Sequence, residues 1–233
     1  LKSSGVKLDK NVEYAFKSVN IEDFVDYSVE GFWQDKPVTF MTTMAGAEKN
    51  ISAPHMIATL LHHLEIRNGQ HFLLIGSKGG YLAAILDQLL GINGIVTIIE
   101  PHNEVLEHTI DTLEKYNSKG IIRVLSASSM DYFEDFEKPV DRVLITGAIR
   151  EIPEFLEVVL QDGAFVLGPF GGTIQQRLLK REKNSNQWLD TDLGGVVFGP
   201  MDTFSAERNP LDPYVLAENL EDSLTLMSDI IEI

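Results

Sequence analysis

The stretch 50–100, NISAPHMIATLLHHLEIRNGQHFLLIGSKGGYLAAILDQLLGINGIVTIIE, constrains the fold more than any other part of the chain. It reads as helix, strand, glycine turn, helix and strand, with an acidic residue closing the second strand. That order builds an open α/β sheet and sets a nucleotide-type site at the carboxyl end of its first strand. Residues 72–75 are an apolar run suited to a strand buried on both faces. Gly76, Gly79 and Gly80 follow at once. Residues without Cβ let a backbone turn at positive φ and come close to a ligand. Residues 81–90 carry apolar side chains at helical spacing, and 94–99 read as a second strand ending at Glu100. A carboxylate there can accept both hydroxyls of a ribose.

The same alternation continues. Residues 103–116 have a helical apolar stripe, 121–125 and 140–146 are apolar strand-like runs, 154–160 read as a helix, and 161–169 as a turn and a fifth strand. Before the central stretch, residues 1–50 read as a helical opening region, with an amphipathic helix over 12–21, followed by a loop; Phe32, Trp33 and Phe40 there are expected in the core or its cover. After Phe204, the run Asn209-Pro210-Leu211-Asp212-Pro213 punctuates the chain before a helix expected from Tyr214 onward. Its stripe of Val215, Leu216, Leu220, Leu224, Met227, Ile230 and Ile231 needs a partner, either its own domain or a second copy in a homo-oligomer.

With 233 residues and 44% hydrophobic content, one domain with a sizeable core is expected. The net charge of −16 argues against nucleic acid as a partner, since such binders present a basic surface to the phosphates. No apolar run reaches the roughly 18 residues that a membrane span needs. The opening residues are polar and lack a leader-type apolar core, so the expected setting is cytoplasmic. The absence of cysteine removes disulfides and thiolate metal sites. His55, His62 and His63 bring no acid or third histidine in a ligand pattern, so no metal is expected.

Ile51-Ser52-Ala53-Pro54-His55-Met56 resembles the signature of the protein-L-isoaspartate O-methyltransferase family, and Gly76-Ser77-Lys78-Gly79-Gly80-Tyr81-Leu82 is similar to the glycine motif of S-adenosylmethionine (AdoMet) enzymes. The resemblance runs from about Val19 to Phe204. It implies a Rossmann-like AdoMet-dependent methyltransferase fold, a mostly parallel sheet with helices on both faces and a late antiparallel hairpin, here expected from 173–183 and 194–199. It also implies a domain over 1–204, with 1–50 as a cover over the cleft and 205–233 as an acidic helical extension.

The implied activity is repair: methyl transfer from AdoMet to the free carboxylate of isoaspartyl residues in damaged proteins. The resemblance puts Gly76, Ser77, Gly79, Gly80, Glu100 and Ala127 on the cofactor. It puts Ser52 beside the reacting carboxylate, and Ser52, Ala53, Pro54, His55, Ala148 and Arg150 around the isoaspartyl peptide. Ser52 reads equally as a helix N-cap, and the solvated loop arginine is the favoured reading of Arg150.

Three positions depart from the family pattern. Leu74 stands where the family has an acid, Lys78 where it has the middle glycine, and Ser126-Ala127 where it has glycine and an adenine-reading aspartate; Ser128, Ser129 and Asp131 are candidate substitutes for the last. The first two shift the nominal pocket charge by two units towards positive. Lys78 either opposes the cationic cofactor, clamps its carboxylate, or points into water. A noncatalytic relative acting as a binding or oligomerisation module is therefore the second reading. A dinucleotide oxidoreductase is the third, disfavoured because its fingerprint wants glycine at Lys78 and Tyr81.

Overall fold

The computed structural model describes residues 9–127, 136, 138–172, 175–185 and 187–201. Its frame is a seven-stranded sheet built on the buried run β3 (His71–Ile75). Around it stand β4 (Ile95–Glu100), β5 (Ile121–Ser126), β6 (Val140–Ile145), β7 (Leu160–Gly171), β8 (Gln176–Asn184) and β9 (Gln187–Val196), in the order β5-β4-β3-β6-β7-β8-β9. β5, β4, β3, β6 and β7 are parallel, and β8 runs antiparallel to both its neighbours. This is the expected sheet with one reversed strand in a late hairpin.

Successive residues of a strand face opposite sides of the sheet, and the two faces pack separately. Phe72, Leu74, Val96, Ile98 and Leu144 join one core with the helices α1 (Lys10–Ser18), α3 (Pro54–His63), α4 (Tyr81–Leu90) and α5 (Asn103–Glu114). Leu73, Ile75, Ile99, Val143 and Ile145 join the other with α6 (Glu154–Val159). β3 lies between β4 and β6, so the connections leave it in opposite directions. The crevice at such a switch point is where open α/β sheets bind ligands.

Three features differ from the sequence reading. Residues 38–51 form an antiparallel hairpin, β1 (Val38–Thr42) with β2 (Glu48–Ile51), where a loop was expected. Only β1 carries a run of buried apolar residues, so Glu48-Lys49-Asn50 hides the second strand from a hydrophobicity reading. The last strand begins at Gln187 and not at 194, because β9 is a polar edge strand held by cross-strand ion pairs, Arg177 with Asp192 at 2.9 Å and Arg181 with Asp190 at 2.8 Å. Trp33 is 70% exposed, although Phe32 and Phe40 are buried as expected.

The cover is fastened to the domain by aromatic packing. Phe24, of the 3-10 turn Ile21–Phe24, and Phe32, of α2 (Glu30–Trp33), each meet the buried Tyr81 ring edge-on at 5.7 Å. Such pairs contribute about 0.5–1.5 kcal/mol each beyond the area they bury. No helix of the described residues is long and apolar enough to cross a membrane. The expected helix after Tyr214, and with it the proposed extension and homo-oligomer contact, lies outside the described residues.

Candidate functional site

β3 ends at the switch point, and the loop beyond it needs the conformations that its glycines allow. Gly76, Gly79 and Gly80 have φ of 85°, 69° and 91°, and Lys78 shares the left-handed region at 49°. The Gly76 N–H donates to the Ile99 carbonyl at 2.8 Å, tying the loop to the end of β4. A Cβ on Gly79 would stand 2.8 Å from Cδ2 of Phe40, so the hairpin β1–β2 rests directly on the loop. The Thr112 hydroxyl donates to the Gly79 carbonyl at 2.9 Å from α5.

Glu100 closes β4 and is 5% exposed. Its Oε2 accepts from the Ser77 N–H at 2.7 Å and from the Ser77 hydroxyl at 2.8 Å, and its Oε1 accepts from the His102 N–H at 2.9 Å. A carboxylate has about four acceptor positions, so three are in use and one stays open. Ser77 Oγ also lies 2.7 Å from Thr109 Oγ1, which donates to the Val105 carbonyl at 2.7 Å. Ser77 has one hydroxyl proton for two acceptors. With Ser77 Oγ seated 2.8 Å from Oε2, the open position is on Oε1, and Glu100 can take one further hydroxyl there while keeping all three bonds.

Ser52 follows β2, which packs on the 3-10 turn Lys78–Gly80 with β1. The helix N-cap is Ala53, and Pro54 takes the first helical position; the expectation that Ser52 caps α3 is corrected. The cap comes from Asp35, twenty residues before His55, whose Oδ1 accepts from the His55 N–H at 2.9 Å and lies 3.1 Å from His55 Nδ1. Burial pushes the Asp35 carboxyl up, but the His55 N–H and ring outweigh it and hold its pKa below the usual value. Ser52 and His55 are half-buried, Ala53 and Pro54 buried. Among the described residues, the Ser52 hydroxyl makes no hydrogen bond.

The loop after β6 is crossed by the chain itself. Ala148 donates its N–H to the Gly199 carbonyl at 2.8 Å and accepts from the Met201 N–H at 2.9 Å, so its N–H is taken and its carbonyl keeps one lone pair. Met201 lies over both strand ends, since a Cβ on Gly76 would come 2.7 Å from its Cε and one on Gly147 3.0 Å from its Cα. Arg150 is exposed at the end of this loop. Ala127 follows Ser126, the register partner of Glu100, and packs against the second core. Ser128, Ser129 and Asp131 lie outside the described residues.

Leu74 is wholly buried and faces the first core, so an acid at that position would sit in apolar packing. The sequence reading missed Thr109, Thr112, Asp35 and Met201. The two threonines stand at i and i+3 on the buried face of α5. A polar pair on an otherwise apolar stripe was the available signal. Among the described residues no group of three His, Asp or Glu is placed to hold a metal.

The parallel sheet, its switch point, the glycine loop and an acid closing the neighbouring strand define the Rossmann-like fold of AdoMet-dependent methyltransferases. Solved structures agree. A protein-L-isoaspartate O-methyltransferase superposes with a TM-score of 0.76 at 19% identity, over 90% of this chain and 65% of that longer one. A Plasmodium falciparum protein in complex with S-adenosyl-L-homocysteine superposes with a TM-score of 0.70 at 20% identity, over 88% of this chain and 95% of that one.

Sequence narrows the class further. The family described as protein-L-isoaspartate(D-aspartate) O-methyltransferase matches residues 1–204, and the chain belongs to that family. Protein-L-isoaspartate O-methyltransferase of Methanococcus vannielii is 32% identical over 193 residues, 82% of this chain and 88% of that protein. The enzyme of that name from Methanococcus maripaludis is 28% identical over 200 residues, 85% of this chain and 91% of that protein.

Proposed function

We propose that this chain is a repair methyltransferase, transferring a methyl group from AdoMet to the free carboxylate of isoaspartyl residues in damaged proteins. The observation that carries the proposal is the Glu100–Ser77–Thr109 relay under the glycine loop, with Ser52 delivered beside that loop by the hairpin β1–β2. The relay fits a ribose because it fixes the Glu100 carboxylate with an acceptor position on Oε1 still open.

AdoMet supplies, when bound, an electrophilic methyl group on a sulfonium. The residues of this chain then have positioning work to do, because the carboxylate that is methylated is ionised near neutral pH and needs no general base. Glu100 and the backbone of residues 76–80 hold the nucleoside. The Ser52 hydroxyl, without a hydrogen bond among the described residues, is available to donate to the substrate carboxylate and orient one oxygen lone pair. His55 and the Ala148 side chain line the peptide side, and Arg150 is a candidate to meet a second carboxylate of the peptide. Ala127 borders the adenine side through its neighbour Ser126 in register with Glu100.

In this proposal residues 1–204 are the catalytic domain and 1–50 its cover. A repair enzyme works where aged proteins accumulate, so the cytoplasm is part of the same proposal, and cell fractionation checks it. The deciding experiment is tritiated methyl transfer to an isoaspartyl peptide, with the normal aspartyl peptide as control. Base-labile label on the first and not on the second is expected. Transfer to neither, together with no calorimetric binding of AdoMet or S-adenosylhomocysteine, would leave a noncatalytic family member.

A further inference from the structure

We propose that Lys78 is a cofactor-binding residue that takes the carboxylate of the ligand's amino-acid tail, so that this site anchors the tail by its acid end and not by its amine. The inference rests on the proposed function and concerns the same site. Lys78 stands at the crest of the loop, one residue past Ser77, whose N–H is held by Glu100. The ribose acceptor is therefore on one side of it. On the other side is the hairpin, with Lys49 of β2, leading to Ser52. A tail that leaves the ribose for the reacting end of the site passes this crest.

The charge pattern there is one-sided. Two charged groups act on Lys78, Glu100 and Lys49, and among the described residues the ammonium has no hydrogen bond and no ion pair. Glu100 is hydrogen-bonded to Ser77 and His102 and acts on the ammonium without a direct ion pair. Burial pulls the Lys78 pKa below the ordinary lysine value, the attraction of Glu100 pulls it back up, and Lys49 lowers it. A half-buried cation with no direct ion pair or hydrogen bond among the described residues is a costly arrangement that a ligand anion relieves. The amine end of the tail has no such partner at the family's acid position, because Leu74 is buried and apolar. The backbone adds a second sign. Lys78 holds φ of 49°, a conformation in which glycine is the unstrained choice, so the side chain is present despite a local cost.

The test is a cycle of two ligands and three variants, read by isothermal titration without peptide substrate. The ligands are S-adenosylhomocysteine, which has the tail, and 5′-methylthioadenosine, which lacks both amine and carboxylate. Lys78→Met should weaken S-adenosylhomocysteine about ten- to a hundredfold, the range of a charge-assisted bond, and leave methylthioadenosine within about twofold. Lys78→Gly should do the same, although it relaxes the backbone, and Lys78→Arg should keep most of the affinity. Equal loss for both ligands would make Lys78 a support of the loop and overturn the assignment. Tighter binding of S-adenosylhomocysteine after Lys78→Met would also overturn it. Failure of the unaltered chain to bind either nucleoside would overturn the proposed function itself, and is thereby told apart from the other outcomes.

Discussion

Replacing Glu100 by Gln keeps the side-chain volume and removes the charge, and the bonds around it set the size of the effect. Three donors converge on the carboxylate, the Ser77 N–H and hydroxyl on Oε2 and the His102 N–H on Oε1. A primary amide has one acceptor oxygen. Its less costly orientation keeps that oxygen at Ser77 and turns NH2 against the His102 N–H. Leaving that N–H unpaired costs about 1–3 kcal/mol. The two Ser77 bonds fall from charge-assisted to neutral strength, roughly half. A combined loss of about 2–4 kcal/mol lowers Tm by about 5–15 °C for a domain of this size. Ligand binding suffers separately, because NH2 cannot accept a ribose hydroxyl and the remaining oxygen accepts one more weakly. S-adenosylhomocysteine should bind about ten- to a hundredfold less tightly. Scanning calorimetry of the ligand-free variant and isothermal titration measure the two effects. An unchanged Tm would show that the three donors do not depend on the carboxylate. A lowered Tm with unchanged affinity would show that Glu100 only braces the loop, and would refute its role on the ribose.

The same contacts set two further outcomes. Asp35→Ala removes the remote cap of α3 and should cost about 1 kcal/mol by chemical denaturation. Because His55 holds the folded Asp35 pKa below its unfolded value, that stability is fully present above about pH 4 and is lost as pH falls through the folded value. The gap between parent and variant should therefore close in acid, and a gap constant down to about pH 2 would refute the cap. Gly79→Ala places a Cβ 2.8 Å from Phe40 at φ of 69°. The left-handed alanine costs about 1–2 kcal/mol before Phe40 moves at all. Denaturation should register this, and nucleoside affinity should fall with it; unchanged stability would show that the hairpin does not rest on the loop.

The parallel half of the sheet was legible because each of its strands is rich in apolar residues, with β3 an unbroken apolar run before Gly76 and β4 closed by Glu100. The reading of 81–90 as a helix coincides with α4, and 72–75 and 94–99 lie within a residue of β3 and β4. Legibility failed where strands are polar. Glu48-Lys49-Asn50 is a strand because Phe40 and Met41 of its partner are buried, and β9 is one because Asp190 and Asp192 meet arginines across the ladder. In both, the reason for the strand lies on a neighbouring strand, and no local periodicity records it.

The site divides in the same way. Glycine spacing and a strand-closing acid locate the ligand loop and Glu100, since backbone freedom and charge are properties of single residues. What each polar group is doing is a property of pairs. Ser52 has the chemistry of a cap, yet Asp35 holds the His55 N–H from twenty residues away, and among the described residues the Ser52 hydroxyl makes no hydrogen bond. Glu100 has the chemistry of a double acceptor, yet Ser77 takes both positions on Oε2 and the open one is left on Oε1. Leu74 marks the limit of restoring a motif by sequence alone. It faces the core, so Leu74→Asp would place a carboxylate among apolar side chains instead of returning an anchor to the site. The adjustable position is therefore Lys78, which stands on the glycine loop and whose ammonium is left unpaired by every described neighbour.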